Sequence, residues 1–316
     1  MNKINVLITG AGGQLAKCIV DVLNRNSEAI EYSAFSHEDL SITDKVKINQ
    51  LLSSKKYDYL INCAAYTNVA EAEHNEDAPL LANGYGPKVL AECCAEHNVR
   101  LIHFSTDYVF GGSIIPEDED SCKLNPLNRY GRSKALGESE IVEISENIDS
   151  FEYMIFRISW LYSEYGNNFV KTILRKAKAH SEMKVVFDQV GSPTYAGDVA
   201  KFIIEYVILS GAPFYSGIYH YTNHGTISWY DFAHAICEIY NETMIWHGGE
   251  SCKVNYEIQP ITTNSLNLEV KRPRVVMLSK EKVMNAYNIN IPYWRDSLKN
   301  VIEKLTIDGD EEFNLR

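Results

Sequence analysis

No Cys-x-x-Cys pair occurs among the seven cysteines, which stand at positions 18, 63, 93, 94, 122, 237 and 252. An odd count without that spacing argues against a disulfide framework and against a zinc cluster, so the thiols are expected as reduced, small apolar residues. Positive charge is scarce: 30 Lys and Arg face 42 Asp and Glu, a formal charge of −12. That excess repels nucleic acid and anionic membrane, so neither is expected as a partner, and an anionic substrate must find locally placed cations. The longest uncharged run, Tyr206 to Tyr230, is interrupted by Ser210, Gly211, Pro213, Gly217, His220 and Asn223, which rules it out as a membrane helix. Met1 to Thr9 lacks the basic start, long apolar core and small-residue cleavage site of a secretory signal, so the expected location is the cytoplasm. Also missing are internal repeats, low-complexity tracts and any G-x-S-x-G nucleophile elbow, which leaves acyl transfer without support.

With 45% apolar and 23% charged residues, the chain has the composition of an ordinary globular protein. Its 316 residues allow two domains at roughly 150 residues each. Apolar runs at Ile4–Ile8, Ile30–Phe35, Tyr59–Cys63 and Leu101–Ser105 alternate with helical patterns at Gln14–Asn26, Lys45–Leu52 and Ala78–His97. Strand, helix, strand in that rhythm predicts an α/β protein with a Rossmann-type, doubly wound parallel sheet, and the unbroken apolar strands predict helices on both faces. A helix around Tyr130–Glu146 and a strand at Tyr153–Ile158 continue it. Beyond Trp160 the rhythm loosens. The expected organisation is a dinucleotide-binding domain over residues 1–159 and a smaller, mainly substrate-binding domain over 160–316. Within the latter, a strand at Met183–Phe187 and a helix at Ala196–Leu209 suggest that residues of about 183–209 return to the sheet. The acidic stretch Asp308 to Glu312 reads as a solvated, frayed end.

Thr9-Gly10-Ala11-Gly12-Gly13-Gln14-Leu15-Ala16 follows the first strand and opens the first helix. Gly10 permits a tight turn, Gly13 lets backbone approach a pyrophosphate, and the helix N-terminus presents N–H donors and positive dipole, the layout of a dinucleotide site. The acidic residue that would select NAD, or the arginine that would select NADP, is absent after the second strand, which ends Phe35-Ser36-His37. The choice between NADPH and NADH is therefore open, and comparable use of both is expected. Further on, Tyr130 and Lys134 are four residues apart and share one helix face. Thr106 lies just past the fourth strand, where groups at strand carboxyl ends face a ligand crevice. A phenol with an ordinary pKa near 10 needs a cation nearby to reach the phenolate, and Lys134 is expected to supply it.

These residues resemble the extended short-chain dehydrogenase/reductases, and more narrowly the dTDP-4-dehydrorhamnose reductase family. The likeness runs through Gly10–Gln14, Ala64-Ala65-Tyr66-Thr67, Ser105–Phe110, Asn128–Glu138, Arg157–Trp160, Gly166–Phe169, Asp188–Tyr195 and Ile291–Arg295. It implies a catalytic set of Thr106, Tyr130 and Lys134. It implies a cofactor, NADPH or NADH, along Gly10, Gly13, Gln14, Leu15, Ser41, Ile42, Ala64, Ala65, Tyr66, Tyr130 and Lys134. It also implies a nucleotide-sugar near Thr67, Val69, Thr106, Asp107, Tyr108, Trp160 and Asn168. Two positions depart from the family: Ser41-Ile42 where an Asp often precedes the apolar residue, and Ala70 where an Asp is usual. The implied activity is reduction of the C4 ketone of dTDP-4-dehydro-L-rhamnose to dTDP-L-rhamnose, a precursor of cell-surface polysaccharide. Alternatives are a reductase or epimerase of another nucleotide-sugar, and a non-catalytic regulatory protein resembling the methionine adenosyltransferase β subunit.

The remaining features carry less. His220 and His224 have a metal-ligand spacing, but in a strand they do not converge, so no metal is expected. Lys271, Arg272 and Arg274 read either as a solvated loop or as a clamp on a substrate diphosphate. Trp229, Trp246 and Trp294 read as core or interface residues. Homodimers are the commonest soluble assembly, and the sequence leaves the oligomeric state open.

Overall fold

The computed structural model describes residues 3–120, 123–246, 253–266 and 269–307. Cys122, Cys252 and the acidic stretch Asp308 to Glu312 lie outside the described residues; Cys18, Cys63, Cys93, Cys94 and Cys237 are free thiols.

Five strands from the first half of the chain, β1 (Ile4–Thr9), β2 (Ile30–Phe35), β3 (Tyr59–Asn62), β4 (Arg100–Thr106) and β5 (Tyr153–Ile158), join a sixth, Gly217–His220, in the order β2-β1-β3-β4-β5-sixth. Every pairing in this sheet is parallel. The strand order reverses between β1 and β3. In an open parallel sheet that switch point leaves a crevice outside the carboxyl ends of the strands, because the following connections depart to opposite faces.

Both faces are covered, which is why the strands are apolar throughout. Val6 and Ile8 of β1 pack with Leu15, Ile19, Val22 and Leu23 of α1 (Gln14–Arg25), while Leu7 points the other way, toward Ile48 and Leu52 of α2 (Lys45–Ser54) and Leu90 of the helix Gly86–His97. Local signals start and stop these helices. Asp44 accepts from Lys47 N at 3.0 Å ahead of α2. Asn98, at φ 54°, ends Gly86–His97 in the left-handed region that Asn tolerates.

A second lobe is built from the helices Phe169–Lys178, Trp229–Trp246 and Trp294–Ile307, around Ile173, Leu174, Phe232, Ile236, Leu298 and Ile302. The 183–209 segment divides between the two lobes. Met183–Val186 pairs with Ile258–Ile261 in the second lobe, whereas Ala196–Lys201 and the turns that follow to Ile208 pack against α1 on the sheet. The chain crosses back once more to lay Gly217–His220 beside β5 at the sheet edge. Among the described residues no helix is long and apolar enough to cross a membrane; the uncharged run from Tyr206 is spent on a helix end, this edge strand and the loops around it.

Candidate active site

A cleft of about 630 Å³ opens at the switch point, within the usual size for a small-molecule site. Gly12, Gly13, Gln14 and Leu15 form one wall, and Cys63, Ala64, Ala65, Thr67 and Val69 after β3 form another. Thr106, Asp107 and Tyr108 after β4 meet Tyr130 and Lys134, and Trp160 with Trp229 closes the side of the second lobe.

The glycine turn works by close approach. Gly10 has φ +71°, and a Cβ there would sit 2.5 Å from Ala64 N, so β1 and the strand beside it meet only without a side chain. A Cβ on Gly12 would meet nothing within 4 Å, because that position faces the open cleft. The N-terminus of α1 has no side-chain cap and no acidic residue in its first turn. Its free N–H groups and open glycine face fit an anionic dinucleotide phosphate. Gln14 reaches across to the second lobe, donating to Leu161 O at 3.3 Å and accepting from Ser163 Oγ at 3.1 Å.

Asn128 caps the helix Arg129–Asn147 by accepting from Gly131 N at 2.8 Å, and so sets Tyr130 and Lys134 in its first turns. Gly131 is required here as well: a Cβ would collide with Tyr108 O. Tyr108 and Tyr130 meet edge to face at 5.7 Å. Thr106 Oγ donates to Asp107 at 3.0 Å and accepts from Tyr108 N at 3.2 Å.

Burial dominates the electrostatics. It holds the Tyr130 phenol above its ordinary range, opposed by hydrogen bonding between the phenol and Thr106 and reinforced by Asp107 and Tyr108. Burial lifts Asp107 to about 7, against the bond from Thr106. It lowers Lys134 to about 8, against the Glu138 carboxylate. Lys134 was expected to pull the phenol down; instead its Nζ donates to Phe104 O at 2.6 Å and lies 3.3 Å from His103 Nε2. The ammonium is turned into the sheet, so burial decides the phenol and leaves its proton in place at neutral pH.

Several residues named from the sequence stand back from the cleft. Ile42 is a core residue beside Leu40 and Ile48, filling the space that Gly86 leaves, and Ser41 Oγ lies 2.8 Å from Thr43 Oγ1. Tyr66 is clamped through its backbone by Asn83, at 2.8 and 2.9 Å. Asn168 caps the helix Phe169–Lys178 and donates to Ser163 O at 2.7 Å, and it is Gly166 and Asn167 that line the cleft. Trp160, at φ +46°, stacks on Trp229 with centroids 3.6 Å apart and planes at 10°. From the sequence alone Trp229 reads as a core or interface residue. Only the fold reveals its position, because its partner comes from a distant segment. His220 is buried against Phe110 and Arg157, with Nδ1 facing Ser279 O at 3.2 Å. Lys271, Arg272 and Arg274 line a neighbouring hollow, and Arg272 acts on the Tyr108 phenol.

A doubly wound parallel sheet with a glycine turn at its switch point, and a Thr/Tyr/Lys group at the same strand ends, defines the Rossmann-type class of extended short-chain dehydrogenase/reductases. Within that class, residues 4–307 match the family described as RmlD substrate binding domain, and the chain belongs to that family. It is 38% identical to dTDP-4-dehydrorhamnose reductase of Aggregatibacter actinomycetemcomitans over 298 residues, 94% of this chain and 97% of the relative. It is 32% identical to dTDP-4-keto-6-deoxy-D-glucose reductase of Streptomyces niveus, covering 96% and 98%. The crystal structure of dTDP-4-dehydrorhamnose reductase from Bacillus anthracis in complex with NADP superposes with a TM-score of 0.83 at 32% identity, over 95% of this chain and 99% of that one.

Proposed function

We propose that this protein is an NAD(P)H-dependent oxidoreductase that reduces the C4 ketone of dTDP-4-dehydro-L-rhamnose to dTDP-L-rhamnose. The observation that carries the reading is the meeting of Thr106, Asp107, Tyr130 and Lys134 in one cleft with the Gly12–Leu15 turn. A bound nicotinamide dinucleotide supplies the hydride. Gly12, Gly13 and the first N–H groups of α1 hold its phosphates, and Ala64 and Ala65 flank it. Tyr130, protonated at neutral pH, gives its proton to the oxygen that gains charge as the ketone is reduced. Thr106 orients that oxygen, and Lys134 binds ribose hydroxyls. Thr67, Val69, Asp107, Tyr108 and Trp160 contact the nucleotide-sugar, with Trp229 joining Trp160 as an apolar wall.

The 1–159 region supplies most dinucleotide contacts, and the lobe built largely from 160–316 supplies the sugar side. The reaction belongs in the cytoplasm, and the protein acts as a homodimer. The deciding test is turnover of purified protein with NADPH and with NADH on a panel of dTDP-linked 4-keto-6-deoxyhexoses. Reduction of dTDP-4-dehydro-L-rhamnose well ahead of 4-ketones that differ from it in configuration at C3 or C5 supports the reading; a tightly held, unexchanged NAD with epimerisation overturns it.

A further inference from the structure

A chain of hydrogen bonds beneath the cleft carries an inference that rests on this reductase reading and deepens it. Asn62, at the end of β3, accepts at Oδ1 from Ala64 N at 3.1 Å and from Thr9 Oγ at 2.7 Å. A backbone N–H only donates, so the amide oxygen faces Ala64 and the amide nitrogen faces His103. That nitrogen lies 2.9 Å from His103 Nδ1. Nδ1 must therefore accept and carries no proton. His103 is 1% exposed, and burial, then the charge of Lys134, keeps its ring neutral well below the ordinary histidine range. A neutral ring without a proton on Nδ1 has it on Nε2, and Nε2 is 3.3 Å from Lys134 Nζ.

An N–H pointed at an ammonium gains nothing, whereas the same N–H pointed at an amine finds a lone pair. We propose that His103 is a positioning residue for Lys134: locked by Asn62 in its Nε2–H form, it holds the lysine nitrogen against β4 and satisfies the lone pair of the amine. When the Lys134 ammonium gives a proton to water, as it does around pH 8, the electron pair of the broken N–H bond stays on Nζ. It then accepts the His103 N–H rather than remaining buried and unpaired. The other groups around Lys134 do not perform this task. Glu138, one turn further along the helix, is held by Arg157 of β5 at 2.7 Å and by Ser105, and Tyr130, Asp107, Tyr108 and Cys63 line the cleft side.

The first test needs no turnover. In unliganded wild-type protein labelled with 15N-histidine, His103, assigned by the loss of its signals in His103→Gln, should show an unprotonated Nδ1, a protonated Nε2 and no titration between pH 6 and 9. A proton on Nδ1, or a ring that charges near pH 6.5, overturns the proposal. The second test follows the Lys134 side chain by NMR across pH in wild type and His103→Gln. The glutamine can turn its carbonyl toward the ammonium, so the Lys134 midpoint should rise by about one pH unit, a tenfold gain in proton affinity. An unchanged midpoint in a folded variant overturns it. If the variant does not fold, His103 is assigned by elimination, with the other eight histidines replaced one at a time, and the tautomer still decides. Where turnover is measured, the alkaline limb of kcat/KM should move up with the Lys134 midpoint. Absence of any reduction by wild type counts against the functional reading and leaves both NMR results standing.

Discussion

Tyr130 and Asp107 are adjacent in the cleft and burial shifts both upward, yet the consequences differ. For Tyr130 the shift preserves the proton that a general acid must give. Tyr130→Phe removes that proton and little else, so kcat should fall by about 10²–10⁴ while dinucleotide affinity, measured by fluorescence titration, stays near wild type. For Asp107 the shift sets ionisation against folding. The folded carboxyl titrates near 7 and the unfolded one near 3.8, so the folded state binds more protons between those values and stability declines as pH rises through that window. Asp107→Asn cannot ionise, and urea unfolding at pH 8 should show it more stable than wild type, by on the order of 4 kcal/mol, with the difference nearly gone by pH 4. A carboxylate retained at that cost points to use by the substrate, and turnover should drop in the same variant.

The elements are brought together by two devices, bare backbone and one buried ion pair. At the β1–α1 turn, Gly10 and Gly12 are both glycine for unlike reasons, and substitution should separate them. Gly12→Val points into the open cleft and should weaken dinucleotide binding by at least tenfold with the melting temperature nearly unchanged. Gly10→Ala strains a positive φ and strikes Ala64, so its main effect should be on folding, a loss of about 1–3 kcal/mol in chemical denaturation. Farther along, Arg157 of β5 grips Glu138 of the helix Arg129–Asn147 through Nη2 at 2.7 Å and Nε at 3.1 Å, with both side chains nearly inaccessible. Glu138→Leu leaves the guanidinium buried and uncompensated. A cost of about 3–5 kcal/mol is expected, large enough to read directly from the unfolding midpoint.

At the scale of the molecule, two lobes share one cleft, and Gln14 stitches the phosphate turn to Leu161 and Ser163 of the second lobe. Cofactor choice is decided at the other end of that turn, beyond β2. There Asp39 accepts from Ser36 N at 3.1 Å and from Ser36 Oγ at 2.6 Å, which folds an exposed carboxylate back onto the strand end. Its charge is engaged locally, and neither it nor His37 makes a dedicated pocket for a 2′-hydroxyl or a 2′-phosphate. NADPH and NADH should therefore support turnover with kcat/KM values within about tenfold, a difference of about 1.4 kcal/mol, and Asp39→Asn should move the ratio toward NADPH. A hundredfold preference for NADH in the wild-type enzyme would show that Asp39 leaves Ser36 to hold the ribose.

The sequence by itself determined the parallel sheet, the glycine turn and the placement of Tyr130 and Lys134 one turn apart on the same helix, because each is a local matter: strand hydrophobicity, φ preference, helical spacing. Asn128 ahead of the helix and Gly10 after β1 act within a few residues of where they stand. What only the tertiary structure decided are the relations between distant segments. Gly217–His220 returns to complete the sheet and Met183–Val186 does not, since pairing depends on which edge is free once the lobes have packed. Trp229 enters the cleft by stacking on Trp160. Ile42 is drawn into the core because Gly86 leaves it room. The direction of Lys134, toward His103 and Phe104, follows from the depth at which the helix settles on β4, and burial at that depth, rather than spacing along the chain, sets the protonation of the groups in the cleft.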